Sequence, residues 1–351
     1  FMKKIKKSKI YYFFIKLLFI PFYNFFWEYL INIKDKFYKI LFCLKRKNIK
    51  YFSLNNNSKI LVVNSNLFKK TANEINKSLD EKFIQEKIDY LKSETYKNKL
   101  KESGINDSHA LKPFVLNIFD DLNEETKKNI LDLVTSDTVL KTACKYLGVF
   151  PIIARIELNL NIPSNSNARS SQLWHRDDLG YKSLNLFLAI NEIDEENGPF
   201  VTIEKKDPLN IFYRVQKEIN SGLTGERGKI LDQDFNYLVD NKKIDQEVIK
   251  LKGTPGTALL VDTVRNYHKG GHCKSRYRIM LRFLFLTPDS LHSFEMDEIE
   301  RKKNKDLIIS NDFYKKYLFR KRDKLFSRFN IHEKLFKFYH MISIKNEFKI
   351  Y

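Results

Sequence analysis

The clearest alternation in the chain runs from Tyr277 to Leu286, where Tyr277, Ile279, Leu281, Phe283 and Phe285 form one wholly apolar face and Arg278, Met280 and Arg282 lie on the other. A period of two predicts a strand with one face in a core. Branched and alternating residues predict further strands at Ile152–Ile162, Gln172–Asp177, Leu184–Ile190, Phe200–Ile203 and Ala258–Asp262, with a short one at Ile60–Val63. Turn chemistry separates them, notably Glu196-Asn197-Gly198-Pro199 and Gly253-Thr254-Pro255-Gly256. Leu67–Leu91 reads as one helix rich in Lys and Glu, Asp120–Val134 and Thr138–Leu147 as two more, the last closed by Gly148. The expected class is α+β with a mainly β core, a mostly antiparallel double sheet with flanking helices. Glu204–Leu251 reads as a long, polar, partly helical insertion able to fold over the mouth of that sheet as a lid.

Composition changes this picture at the two ends. The chain has 351 residues, 43% of them hydrophobic, enough for one sizeable core with appendages. Its net charge is +20, of which residues 1–50 carry +11 and residues 301–351 carry +10, leaving the centre at −1. Three organisational units follow: a basic, aromatic helical segment at 1–50, a balanced catalytic body at 51–300 with its β core at about 141–290 and the insertion at 204–251, and a basic helical extension at 301–351. Cys43, Cys144 and Cys273 are odd in number, widely spread and show no C-x-x-C pairing, so neither a disulfide framework nor a structural zinc site is indicated and a reducing, cytoplasmic setting is the default expectation.

The N-terminal run from Ile10 to Ile31 superficially looks like a signal peptide, but it contains Lys16, Pro21, Asn24 and Glu28 and no small-residue cleavage site follows. Those same residues make spanning a bilayer costly. At about 100° per residue, Lys9, Lys16, Asn24 and Glu28 fall within a stripe roughly 120° wide, the arrangement of a helix lying in a membrane surface. Peripheral contact with the inner face of an anionic membrane is therefore the preferred reading over packing on the protein's own core or on a partner subunit.

The candidate chemistry sits in Gln172-Leu173-Trp174-His175-Arg176-Asp177-Asp178. In a strand, residues two apart share a face, so His175 and Asp177 can share one metal. Two histidines and a carboxylate leave three open positions, as an iron(II) centre needs to hold a bidentate keto acid and then dioxygen. His268 and His272 are the candidates for the third ligand, in Asn266-Tyr267-His268-Lys269-Gly270-Gly271-His272, where the glycines let backbone approach a crowded site. His109, His292, His332 and His340 lie in segments read as loop or terminal helix and take no role. If the arginine face of Arg278–Leu286 points inward, its guanidinium needs an anion, and a bidentate link to the distal carboxylate of 2-oxoglutarate would supply one. Arg278 and Arg282 both qualify.

Together these segments resemble the phytanoyl-CoA dioxygenase family, which pairs a Trp-His-x-Asp strand with a Glu-x-Gly-Pro turn and a distal His-x-Gly-Gly segment followed by Arg. Here they are Trp174 to Asp177, Glu196 to Pro199, His268 to Gly271 and Arg278, within roughly Lys141 to Pro288. The resemblance implies a double-stranded β-helix (jelly-roll, cupin-like), iron(II) held by His175, Asp177 and His268, 2-oxoglutarate anchored by Arg278, and oxidative decarboxylation to succinate with hydroxylation of a substrate. His268 is chosen because it precedes the paired glycines. The Gly-Ser-His that often follows the Gly-Pro turn is replaced by Thr202-Ile203-Glu204-Lys205-Lys206, so the substrate is not carried over. The carboxylate ligand is present as Asp177, whereas halogenating relatives leave that position open.

The leading expectation is an iron(II)- and 2-oxoglutarate-dependent dioxygenase, using O2, that hydroxylates a small-molecule, lipid or lipid-linked substrate at an anionic membrane surface. A different class of answer is a basic nucleic-acid- or membrane-binding protein whose barrel is catalytically silent. A third is a cupin-like barrel with zinc, manganese or nickel and hydrolytic or isomerase chemistry.

Overall fold

The computed structural model describes residues 33–54, 60–102, 112–164, 167–177, 179, 182–203, 248–287 and 311. The expectations for the chain before Ile33, for 204–247 of the insertion and, save Asn311, for the C-terminal extension lie outside the described residues.

Six antiparallel strands build the larger sheet: β1 (Ile60–Asn64), β2 (Val115–Asn117), β3 (Ile152–Asn161), β4 (Ser183–Ala189), β7 (Thr257–Val261) and β9 (Arg278–Leu286), in the order β1-β7-β4-β9-β3-β2. A second sheet has the order β6-β5-β8, from β5 (Val201–Ile203), β6 (Val248–Lys250) and β8 (His268–Lys269). The expected double sheet with flanking helices is thus present. β6 corrects the extent of the insertion, whose last residues are a paired strand rather than part of a lid.

Register assigns each face of the large sheet. Leu158 pairs with Leu281, Leu186 with Phe283, and Leu260 with Leu186, so these side chains share the outer face. There they join one hydrophobic core with Phe68, Ala72, Ile75, Ile130, Leu131, Val139 and Leu140 of the helices. The inner face places Glu157 opposite Arg282, Asn161 opposite Arg278 and Phe187 opposite Arg282. A register shift between Ile153 and Arg155 sets the alternation of β3 so that Arg155, Glu157 and Asn159 point inward. The small sheet covers this inner face, since Phe200 and Leu251 share a cluster with Ile60, Phe187, Leu259, Val261 and Met280.

Among the described residues the helices are α1 (Ile33–Lys45), α2 (Asn66–Ser78), α3 (Glu81–Lys92), α4 (Glu94–Glu102), α5 (Glu124–Val134) and α6 (Asp137–Leu147). The single helix expected over Leu67–Leu91 is two, because the Asp80 carboxylate accepts from the Phe83 amide at 2.7 Å and starts a new helix there. Gly148 closes α6 in the left-handed conformation, as its position predicted. The strand expected at Gln172–Asp177 is much shorter: Ser170–Gln172 is a 3-10 turn, and only Trp174–His175 takes bridge geometry. α1 is held down by Lys141, whose ammonium donates to the carbonyls of Arg46 (2.8 Å), Lys47 (3.0 Å) and Ile49 (2.7 Å). Among the described residues no helix is long and apolar enough to cross a membrane.

Candidate metal centre

His175 and His268 come together because their backbones exchange both hydrogen bonds, His175 N–H to His268 O and the reverse, each at 2.9 Å. A directly opposed antiparallel pair projects its side chains to one side of the sheet. The two rings lie 4.3 Å apart, centroid to centroid. Asp177 reaches the same point two residues along, its own N–H bonded to Thr263 O at 3.0 Å. The Asp177 Oδ1 lies 3.7 Å from His175 Nε2 and 3.7 Å from His268 Nε2. Of the two distal histidines, only His268 is here; the Nε2 of His272 points to the Ser164 carbonyl instead.

The proton positions follow from the partners. His175 Nδ1 faces the Leu173 carbonyl at 2.7 Å and His268 Nδ1 faces the Asn266 carbonyl at 3.2 Å. A carbonyl only accepts, so each Nδ1 carries the proton and each Nε2 presents a lone pair to Asp177. Three acceptors therefore converge, their donor atoms all within 4.8 Å of one another, at separations too long for hydrogen bonds. Mutual repulsion of lone pairs is relieved by a cation, and imidazole nitrogen with carboxylate oxygen is a donor set that divalent transition metals accept. Asp177 Oδ2 is buried and accepts no hydrogen bond, with Arg282 Nη2 at 3.8 Å. The residues present fit a metal ion.

Electrostatics keep the ligands in their binding forms. Burial alone would raise the Asp177 pKa, but His268, Arg282 and His175 outweigh it and bring the carboxyl down to about 2. Burial pulls His268 below the ordinary imidazole value despite the neighbouring Asp177 carboxylate, which favours the neutral form that carries the lone pair.

A supporting network surrounds these three residues. Asn185 links two parts of it, accepting from Arg282 Nε at 2.8 Å and donating to the Thr263 hydroxyl at 2.7 Å. Arg282 also reaches Glu157 at 3.3 Å, and Arg155 reaches the same carboxylate at 3.1 Å. Burial would raise the Glu157 pKa, but these two cations hold it below the ordinary carboxylate range. Asp262 fixes the loop leading to His268, accepting from Tyr146 Oη at 2.6 Å and from the amides of Val264 (3.0 Å) and Arg265 (3.2 Å). Phe200 stacks on the His268 ring with centroids 5.5 Å apart.

The two arginines of β9 differ sharply. Arg282 is paired with acids, whereas Arg278 is 2% exposed, donates Nη1 to the Gly198 carbonyl, and has neither an acidic partner among the described residues nor any partner for Nε. Burial pushes the pKa of its guanidinium below the ordinary arginine value. Gly198 is itself held by backbone contact: a Cβ there would strike the His272 carbonyl, and one on Gly271 would strike the carbonyls of Gly198 and Pro199. The Glu-Asn-Gly-Pro turn and the His-Lys-Gly-Gly segment thus meet backbone to backbone beside Arg278, which only glycine at both positions permits. Glu157, Asn185, Thr263 and Asp262 escaped sequence reasoning. Only Glu157 carried a signal there, as a polar member of the alternation Arg155-Glu157-Asn159.

No protein-family model matches the chain, and no curated protein matches it. Among solved structures it is similar to the non-heme alpha ketoglutarate dependent carbocyclase SnoK from nogalamycin biosynthesis, at 10% identity over 68% of this chain and 83% of that one, with a TM-score of 0.40. EctD from S. alaskensis with bound Fe matches at 12% identity over 68% of this chain and 78% of its own, with a TM-score of 0.39. The epimerase SnoN, in complex with Fe3+, alpha ketoglutarate and nogalamycin RO, matches at 13% identity over 67% and 81%, with a TM-score of 0.34. Likeness at this level leaves the chemistry to be read from the chain's own residues.

Proposed function

We propose that the chain is an iron(II)- and 2-oxoglutarate-dependent dioxygenase whose body, residues 51–300, is built on a double-stranded β-helix core of the jelly-roll, cupin-like type at about 141–290. His175, Asp177 and His268 would hold the iron and Arg278 the distal carboxylate of 2-oxoglutarate. The observation that carries the reading is Arg278, a buried cation with no acidic partner among the described residues, on the same strand face as the Arg282 that touches Asp177. A buried, unpaired charge costs several kcal/mol, roughly, and an anionic ligand removes that cost.

Bound iron and 2-oxoglutarate would supply oxidative decarboxylation, with one oxygen atom of O2 entering succinate and the other a substrate C–H bond. The protein's part is to present two Nε2 lone pairs, with each Nδ1 proton tied to a carbonyl, and to keep Asp177 ionised. With a carboxylate at that ligand position, hydroxylation is favoured over halogenation. The wall beyond Asp177 carries Arg155, Glu157 and Asn159, all half-buried. That polar wall suits a small polar molecule or the head of a lipid-linked substrate better than a plain acyl chain.

Anaerobic addition of iron(II) and 2-oxoglutarate to purified protein tests this directly. A weak visible charge-transfer band is expected, abolished in Asp177→Ala and, in Arg278→Ala, requiring roughly thirtyfold more 2-oxoglutarate, the effect of removing one side of a buried charge pair. Metal binding without the band would favour hydrolytic or isomerase chemistry. Folded protein that binds no metal would favour the binding-protein alternative.

A further inference from the structure

We propose that the outward face of α1 docks on an anionic lipid surface. Ile33, Phe37, Ile40 and Leu44 are 64%, 57%, 52% and 66% exposed, and they recur at the spacing that lines one side of a helix. The opposite side is fixed to the body. Phe42 packs edge-on to Phe150 at 5.3 Å, Arg46 pairs with Asp137 at 2.8 Å, and the Phe150 amide donates to Asp35 O at 3.1 Å. With Lys141 gripping the carbonyls that follow the helix, the apolar stripe is a rigid feature of the surface. Four large apolar side chains on one stripe of a polar protein mark an interaction site.

Charge decides what covers it. Lys45, Lys47 and Lys50 are exposed beside the stripe, and the sole acid between Ile33 and Tyr51 is Asp35, which is buried at 7% exposure. A second copy of this chain docking face to face would set lysine against lysine, with Asp35 buried and the Asp137 carboxylate already engaged by Arg46. Nucleic acid would satisfy the lysines but leave the Ile, Phe and Leu side chains in water. Apolar tails beneath acidic headgroups satisfy both at once, with the lysines at headgroup level. One side of α1 is fixed to the body and the other carries the apolar stripe, so the helix would lie flat on the lipid surface. The sequence before it continues the same chemistry, with Phe13, Phe14, Phe25 and Trp27 behind five lysines in the first nine residues.

The test uses the full chain with vesicles of phosphatidylcholine alone, or with about a third phosphatidylserine, an anionic content chosen to attract lysines. An environment-sensitive dye on Ile40→Cys, in a Cys43→Ser background, is expected to shift to the blue and resist an aqueous quencher only with the anionic vesicles. The same dye on Lys82→Cys of α3 should not respond. Changing Phe37, Ile40 and Leu44 together to Ser should weaken co-flotation by about tenfold or more, from the lost apolar burial. Failure of the protein to float with anionic vesicles overturns the proposal. So does an unshifted dye at position 40 on protein that floats, since other segments would then carry the binding. A wild-type dimer that the triple change converts to monomer would assign the stripe to a second copy and overturn it equally.

Discussion

The two faces of the six-stranded sheet are made by the same strands and do opposite work. The outer face is Leu158, Leu186, Leu260, Leu281 and Phe283, packed against the helices in one hydrophobic core. The inner face, one residue out of step, holds Glu157, Asn185, Arg278 and Arg282, with Met280 and Phe187 between them. Apolar burial is concentrated on the first, and charged and hydrogen-bonding groups on the second. The contrast teaches that one strand can carry both functions because successive side chains point to opposite sides, so a change on one face barely touches the other.

Three experiments would break or sharpen that division, taken from the largest effect. Phe283→Ala on the outer face should cost about 3–5 kcal/mol in urea unfolding, from lost burial and the cavity left behind, while the folded fraction keeps its metal affinity. An equal loss of affinity would mean that the faces are not independent. Asn185→Ala on the inner face should lower metal affinity about 10–100-fold, as loss of a partner behind the ligands does, with a smaller loss of stability. Isothermal titration with cobalt(II) or iron(II) measures it; unchanged affinity would remove Asn185 and Thr263 from the support of Asp177.

The smallest effect is on pH dependence. Burial depresses the His268 pKa, so the unfolded chain binds more protons than the native apoprotein below the ordinary imidazole value of 6.5. Stability of the apoprotein is therefore full above that value and declines as pH falls through it, by no more than about 1.4 kcal/mol per pH unit for one proton. Unfolding curves between about pH 7.5 and about pH 5.5 should show this slope. His268→Gln should flatten it, and Phe283→Ala should only displace it. A slope that persists in His268→Gln would point to another group.

Much of this was legible beforehand where the signal is local. The period of two at Tyr277–Leu286 marked β9 and its apolar face, and the Gly-Pro and Pro-Gly turns bounded the strands that flank the site. His175 and Asp177, two apart, announced a shared side even though the strand around them is only a single bridge. The break of Leu67–Leu91 into α2 and α3 escaped although it is local, because it hung on whether Asp80 would serve as a cap or stay an ordinary polar residue within one helix. Other features escaped because they depend on partners far along the chain. Glu157 and Asn185 looked like ordinary polar residues until β3, β4 and β9 set them beside Arg282.

By itself, then, the amino-acid order determined the class of fold, the balanced centre between two basic ends, and a set of candidate donors on predicted strands, because side-chain period and turn chemistry are properties of neighbouring residues. Spacing and residue type left His268 and His272, and Arg278 and Arg282, open, with only the family resemblance favouring His268 and Arg278. The tertiary structure brings His268 rather than His272 to His175 and Asp177, and among the described residues leaves Arg278 without an acidic partner while Arg282 is paired. Both outcomes depend on strand register, on the close passage of Gly198 past Gly271, and on burial. These are non-local quantities, fixed only when strands from distant parts of the chain lie side by side.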